Sequence, residues 1–139
     1  FDVKDIKSLH QRALEHGYAD HVILPVYLCG YRMSPGIALQ KSGTDVKLCA
    51  VLCLLRGEMD DYLLWPFEHK IRLSIIHPLE NPELQLELKP FRGLRFFVKP
   101  RDRRNETAVF KSPSLDLVDL ERDGYVREDE LLVKWEVRP

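Results

Sequence analysis

The stretch that decides the fold is LCAVLCLLRGEMDDYLLWPFEHKIRLSIIH, residues 48–77. Its first eight residues form an unbroken apolar run of strand length, and its last seven largely alternate between apolar and polar residues. The connection between them contains Trp65-Pro66-Phe67. Because proline cannot donate a hydrogen bond within a sheet, Pro66 marks the point where the chain leaves the sheet, and the flanking aromatic residues can fold back over the open end of a core. The stretch predicts two strands joined as a long hairpin by a buried aromatic plug.

The composition is typical of one soluble globular domain, residues 1–139. Hydrophobic residues make up 45% of the chain and charged residues 31%, and the formal net charge is −1. So small a net charge gives no reason to expect nucleic acid as a partner. The longest apolar run has eight residues, whereas a membrane-spanning helix needs about 20.

The three cysteines predict reduced, buried thiols and a cytoplasmic location. Their number is odd, and Cys49 and Cys53 lie within the apolar run, where a free cysteine packs as a small hydrophobic residue. Neither they nor Cys29 have the spacing of a zinc site, and the histidines are scattered. No serine has the sequence context of a nucleophile, and no glycine-rich phosphate loop is present. We therefore predict no catalytic residue, no bound metal and no cofactor.

The rest of the chain indicates an all-β fold. Residues 7–16 predict a helix whose buried stripe contains Leu9, Ala13 and Leu14. Pro25 interrupts a strand-like segment and places it at a sheet edge or a bulge. Most of the remaining sequence consists of short alternating segments between prolines and turn residues. These features predict an antiparallel β-sandwich with one short N-terminal helix.

Four motifs together resemble one family. They are GYRM at residues 30–33, LWPF at 64–67, FVKP at 97–100, and YVRED at 125–129 followed by an apolar strand. Their order and approximate spacing are similar to those of the TRAF-C, or MATH, domain of the tumour-necrosis-factor-receptor-associated factors. The resemblance implies an eight-stranded antiparallel sandwich without catalytic activity that binds extended peptides of receptors or signalling adaptors along a sheet edge. It also implies a trimer formed through a coiled coil outside these residues, in a family of ubiquitin ligases.

The peptide-binding residues implied by this resemblance differ partly from the family pattern. Many members hold an acidic peptide residue with an arginine and a tyrosine, and those positions correspond here to Gly36 and Ala38. The sequence therefore predicts non-standard specificity, with the exposed sheet edge near Ile37. The candidate peptide-binding residues are Gly36, Ile37, Ala38, Phe91, Arg92 and Phe97.

A basic stretch at residues 89–104, which also contains phenylalanines, suggests a second candidate binding surface. Arginine can bind an acidic or phosphorylated peptide through paired hydrogen bonds, and basic residues can also contact anionic lipid. Alternatively, the stretch is a solvated loop over core phenylalanines. The domain as a whole could instead serve mainly for oligomerisation or domain packing. The candidate basic residues are Arg95, Lys99, Arg101, Arg103 and Arg104.

Overall fold

The computed structural model describes residues 1–79, 82–91 and 95–138 and shows two antiparallel sheets around one core. The elements are β1 (Asp2–Val3), α1 (Ile6–His16), β2 (Tyr18–Val22), β3 (Val26–Leu28), β4 (Tyr31–Ser42), β5 (Asp45–Leu55), β6 (Lys70–Ile76), β7 (Leu84–Leu88), β8 (Ala108–Asp116), α2 (Leu117–Arg122), β9 (Val126–Arg127) and β10 (Glu130–Arg138).

The first sheet has the strand order β1-β10-β6-β7, with β9 also paired to β10. The second has the order β2-β4-β5-β8, with β3 also paired to β4. The predicted antiparallel β-sandwich is confirmed. The described residues form ten strands where eight were expected, and three of the ten, β1, β3 and β9, have only two or three residues.

The apolar run at residues 48–55 forms most of β5, which lies between β4 and β8. Alternate residues of this strand, among them Leu48 and Leu52, join the core between the sheets. The residues between them point to the other face and are also at most 4% exposed, as Cys49 and Val51 illustrate. A strand covered on both faces explains why the sequence shows a continuous apolar run instead of alternation.

The connection between β5 and β6 crosses from one sheet to the other, so the predicted hairpin is wrong. β6 pairs with β7 and β10, and β5 with β4 and β8. The aromatic plug is nevertheless present, because Phe67 is 1% exposed and its ring lies 4.9 Å from that of Tyr31. Trp65 is partly buried and its Nε1 donates to the Asp60 carbonyl at 2.8 Å. The plug therefore closes one end of the sandwich where the chain changes sheets.

The N-terminal region largely follows the prediction. In α1 the buried residues are Ile6, Leu9 and Ala13, whereas Leu14 is 39% exposed. The predicted place of Leu14 on the buried stripe is therefore wrong. Leu14 follows Ala13 by one position and lies about 100° further round the helix, whereas the buried residues recur every three or four positions. Pro25 lies between β2 and β3, which are two short strands that pair only with β4 within the described residues.

The helix α2 is absent from the sequence prediction. Residues 115–120 give no clear periodicity, and the helix has only six residues. Leu117 and Leu120, three positions apart, are 1% exposed, while Val118 between them is 69% exposed. That spacing is helical, but one turn is too short to be distinguished from a strand end in the sequence.

Candidate functional site

The strand β8 presents an open edge of the second sheet. Within the described residues it pairs with β5 alone. Pro113 lies in β8, which suits an edge strand because proline supplies no donor to a neighbouring strand. One row of backbone N–H and C=O groups of β8 therefore faces away from β5 and has no partner strand in the part of the chain that the structure describes.

An aromatic groove of about 570 Å³ runs beside this edge. Its wall is the side chain of Phe91, which is 39% exposed and lies 5.4 Å, between ring centroids, from both Phe96 and Phe110. The ring of Phe97 lies 5.2 Å from Phe91 but is 2% exposed. Phe97 therefore supports the groove from below, and Phe91 is the surface that a ligand can contact.

The groove is completed by residues that the sequence prediction did not include. They come from the segments before Phe91 and before β8 and from β8 itself, and they are Lys89, Thr107, Val109, Lys111 and Ser112. The sequence shows Ala108-Val109-Phe110 as a short apolar patch, and Pro113 signals an edge. Neither signal by itself identifies which edge carries the groove.

The predicted exposed edge near Ile37 is wrong. Ile37 lies in β4, which pairs with β2 on one side and β5 on the other. Ile37 is 0% exposed and packs in the core, so it cannot line a binding surface. Ala38 points to the opposite face and is also 0% exposed. The neighbouring strand β2 thus occupies the edge that the sequence assigned to a peptide.

Gly36 has a structural role that the sequence did not reveal. A Cβ atom at this position would lie 2.1 Å from the His21 carbonyl oxygen and 2.7 Å from the Val22 Cα. Real Cβ atoms essentially never come within 3.0 Å of such neighbours. Glycine at position 36 therefore allows β2 to approach β4 closely. Trp135 Nε1 also donates to the Gly36 carbonyl at 3.2 Å and links the two sheets.

The remaining predicted residues fall into three groups. Arg92 lies outside the described residues. Arg95 Nη1 lies 3.8 Å from a Glu106 carboxylate oxygen, and Lys99 forms an ion pair with Asp61. Arg101, Arg103 and Arg104 are exposed, and among the described residues none of them has a carboxylate oxygen within 4.0 Å of its guanidinium.

The thiols are all free, as predicted, but only two are buried. Cys49 and Cys53 are 1% and 4% exposed, whereas Cys29 is exposed. Burial raises the pKa of the Cys49 and Cys53 thiols, which disfavours their reactive thiolate forms. The described residues contain no group of histidine, cysteine and acidic side chains that could hold a metal ion. They also contain no helix with the length and apolarity to cross a membrane.

The fold and the groove define a class of protein, a β-sandwich interaction module with an open strand edge. Comparison with known families makes this specific. The model of the TRAF/meprin MATH domain matches residues 25–134. The chain therefore belongs to the TRAF/meprin MATH domain family, whose domains are protein-interaction modules.

Individual relatives agree with this assignment. TNF receptor-associated factor 6 of Danio rerio is 36% identical over 87 residues, which are 61% of this chain and 16% of that protein. TNF receptor-associated factor 5 of Homo sapiens is 24% identical over 109 residues, 76% of this chain and 20% of that protein. The chain thus matches about a sixth to a fifth of the length of these relatives. The solved structure of Notothenia coriiceps TRAF5 superposes with a TM-score of 0.81 at 25% identity and covers 100% of this chain and 72% of that one.

Proposed function

We propose that this domain binds an extended peptide segment of a receptor tail or signalling adaptor on the open edge of β8. The observation that carries the proposal is the coincidence of that unpaired edge with the aromatic groove beside it. An added strand would form main-chain hydrogen bonds with β8, and these would supply affinity largely independent of sequence. Side-chain selectivity would come from the groove. The domain would act by binding, without catalysis.

The groove favours a particular kind of peptide side chain. Phe91, Phe96 and Phe110 offer aromatic faces and edges, which suit an apolar or aromatic residue. Lys89 and Lys111 contact the same groove and add positive charge. A peptide with a large apolar residue next to an acidic one therefore fits best. The usual acidic-residue contacts of the family are absent at Gly36 and Ala38, so we expect no preference for the Gln-Glu or Pro-x-Glu motifs that those contacts select.

The other large depression of the surface fits a peptide less well. It lies around His77 and Gly124 and has a volume of about 980 Å³. The strand that borders it, β9, has only two residues and already pairs with β10. So short a strand offers few main-chain groups to an added chain. β8 has nine residues and pairs with β5 at residues 108–110 and 115–116, on either side of an irregularity, so it still offers more main-chain groups than β9 does.

A peptide array followed by fluorescence polarisation tests the proposal. Val109→Arg places a long charged side chain in the groove, and Val118→Arg makes the same change on the exposed face of α2. We expect peptides selected by the unmodified domain to bind Val109→Arg at least tenfold more weakly and Val118→Arg with unchanged affinity. Thermal unfolding of both variants confirms that they are folded.

Two results would contradict the proposal. One is equal affinity of the selected peptides for Val109→Arg and for the unmodified domain. The other is an array without any bound peptide, together with a self-associated domain in sedimentation velocity. That second result would indicate that the domain serves mainly for assembly.

A further inference from the structure

Two arginines flank one leucine on the outer face of the second sheet. Arg32 of β4 pairs with Leu55 of β5, and Leu55 forms an isolated bridge with Arg104 on its other side. Directly opposite residues in an antiparallel pair point to the same face. Tyr31 and Met33 point into the core, so the face of Arg32 is the outer one. Neighbouring strands are about 4.8 Å apart, which places the two arginine Cα atoms roughly 10 Å from each other.

Two more arginines stand at the same end of these strands. The Arg56 N–H donates to the Arg103 carbonyl at 2.8 Å, which continues the pairing of Leu55 with Arg104. Arg32 Nη1 donates to the Arg56 carbonyl at 3.4 Å, so its guanidinium group lies beside this segment. Only Arg32 and Arg104 share the outer face with Leu55, and we call these two residues the arginine cluster.

The stability of the fold does not explain the arginine cluster. Like charges on one face of a sheet repel each other and therefore contribute no stability. The chain has 22 acidic residues, and Arg95 and Lys99 nearby each have a carboxylate partner. Among the residues that the structure describes, no carboxylate oxygen lies within 4.0 Å of a guanidinium nitrogen of the cluster. Two guanidinium groups on one face can instead hold a multiply charged anion, because each can donate paired hydrogen bonds.

The arginine cluster is continuous with the open edge of β8. Arg104 bridges the same strand, β5, to which β8 pairs, and Thr107 and Val109 follow it on the way into the groove. Arg104 precedes Val109 by five residues, which is roughly 16 Å in an extended chain. An extended peptide beside Val109 would therefore bring a residue four or five positions away to the arginine cluster.

We propose that the arginine cluster binds a phosphorylated side chain of the peptide that docks on β8, and this rests on the proposed function. A phosphate carries nearly two negative charges and three acceptor oxygens, so it can use both arginines at once, whereas one carboxylate is satisfied by a single guanidinium group. The continuity with the strand edge favours a side chain of the docked peptide over a lipid headgroup. Phosphorylation of the partner would then strengthen its binding to this domain.

The test uses paired peptide libraries that carry either phosphoserine or serine at one fixed position and are otherwise identical. Selected pairs are titrated into the unmodified domain, into Arg32→Gln/Arg104→Gln, and into Arg12→Gln/Arg127→Gln. The last variant loses the same charge from two exposed arginines elsewhere. We expect at least a tenfold preference for the phosphorylated peptide in the unmodified domain and in the Arg12/Arg127 variant. We expect a ratio near one in the Arg32/Arg104 variant.

The outcomes separate this proposal from the one on which it rests. Peptides that lose affinity for Val109→Arg but show no phosphoserine preference would overturn the role of the arginine cluster and leave edge docking intact. A domain that binds neither form of any peptide would overturn both. Sedimentation with phosphatidylserine vesicles is the second assay. Vesicle binding that requires Arg32 and Arg104, without phosphopeptide preference, would overturn the proposal in favour of a membrane surface.

Discussion

Replacement of Gly36 by alanine tests the conclusion that this residue allows close strand approach. The new Cβ would lie 2.1 Å from the His21 carbonyl oxygen, so β2 must move by about 1 Å to restore a 3.0 Å contact. The movement would disturb the pairing of Val22 with Gly36 and the hydrogen bond from Ile23 N–H to the Pro35 carbonyl, now 2.9 Å long. The backbone φ at Gly36 is not positive, so alanine meets only this steric obstacle.

The expected loss follows from three contributions. Overpacking of this kind costs typically 1–3 kcal/mol, and a weakened buried hydrogen bond costs about 1 kcal/mol. Alanine restricts the unfolded chain more than glycine does and so returns roughly 0.4–1 kcal/mol. The free energy of unfolding should therefore fall by about 2 kcal/mol, which for a chain of this length lowers the melting temperature by roughly 6 °C.

Urea denaturation followed by tryptophan fluorescence measures this change, with Gly17→Ala as the control. Gly17 ends α1 with a φ of 84°, and a Cβ there would meet nothing within 4 Å. The control therefore carries backbone strain without a clash and should cost only about 1 kcal/mol. If Gly36→Ala were as stable as the unmodified domain, or less affected than Gly17→Ala, the close approach of β2 and β4 would be refuted.

Two further predictions concern the thiols and the aromatic plug. In the folded domain a single thiol, that of Cys29, should react with an alkylating reagent, and mass spectrometry should show three modified cysteines after denaturation. Because burial raises the pKa of Cys49 and Cys53, their reaction should also require a higher pH, and rapid labelling of either at pH 7 would contradict the structure. Phe67→Ala should lower the free energy of unfolding by about 3–5 kcal/mol. Leu64→Ala, at a side chain 85% exposed, should stay within about 0.5 kcal/mol, and equal losses would contradict the buried plug.

Much of the fold could be predicted because it depends on local periodicity. The alternation in residues 71–75 and the apolar run in residues 48–55 both correspond to strands. The local sequence does not indicate which strand each of these strands pairs with. β5 and β6 are adjacent in sequence and lie in different sheets, so a hairpin was the wrong inference from two correct strands.

The candidate site likewise contains residues that could be predicted from the sequence and residues that could not. Of the two phenylalanines proposed through the family motif, Phe91 lines the groove and Phe97 lies beneath it. Gly36 and Ile37 could not be excluded from the sequence, because the strand that buries their edge, β2, lies some fifteen residues earlier. Whether a strand lies at an edge depends on the order of the strands in the sheet. A short apolar segment such as residues 108–110 can have the same sequence pattern at an edge as in the middle of a sheet.

The position of β10 in the first sheet has a consequence for biosynthesis. β10 separates β1 from β6 and is the partner of both, yet it is the last of the three to leave the ribosome. Until residues 132–138 have left the ribosome, β6 exposes a row of free main-chain groups to other nascent chains. Completion of the first sheet must therefore follow synthesis of β10.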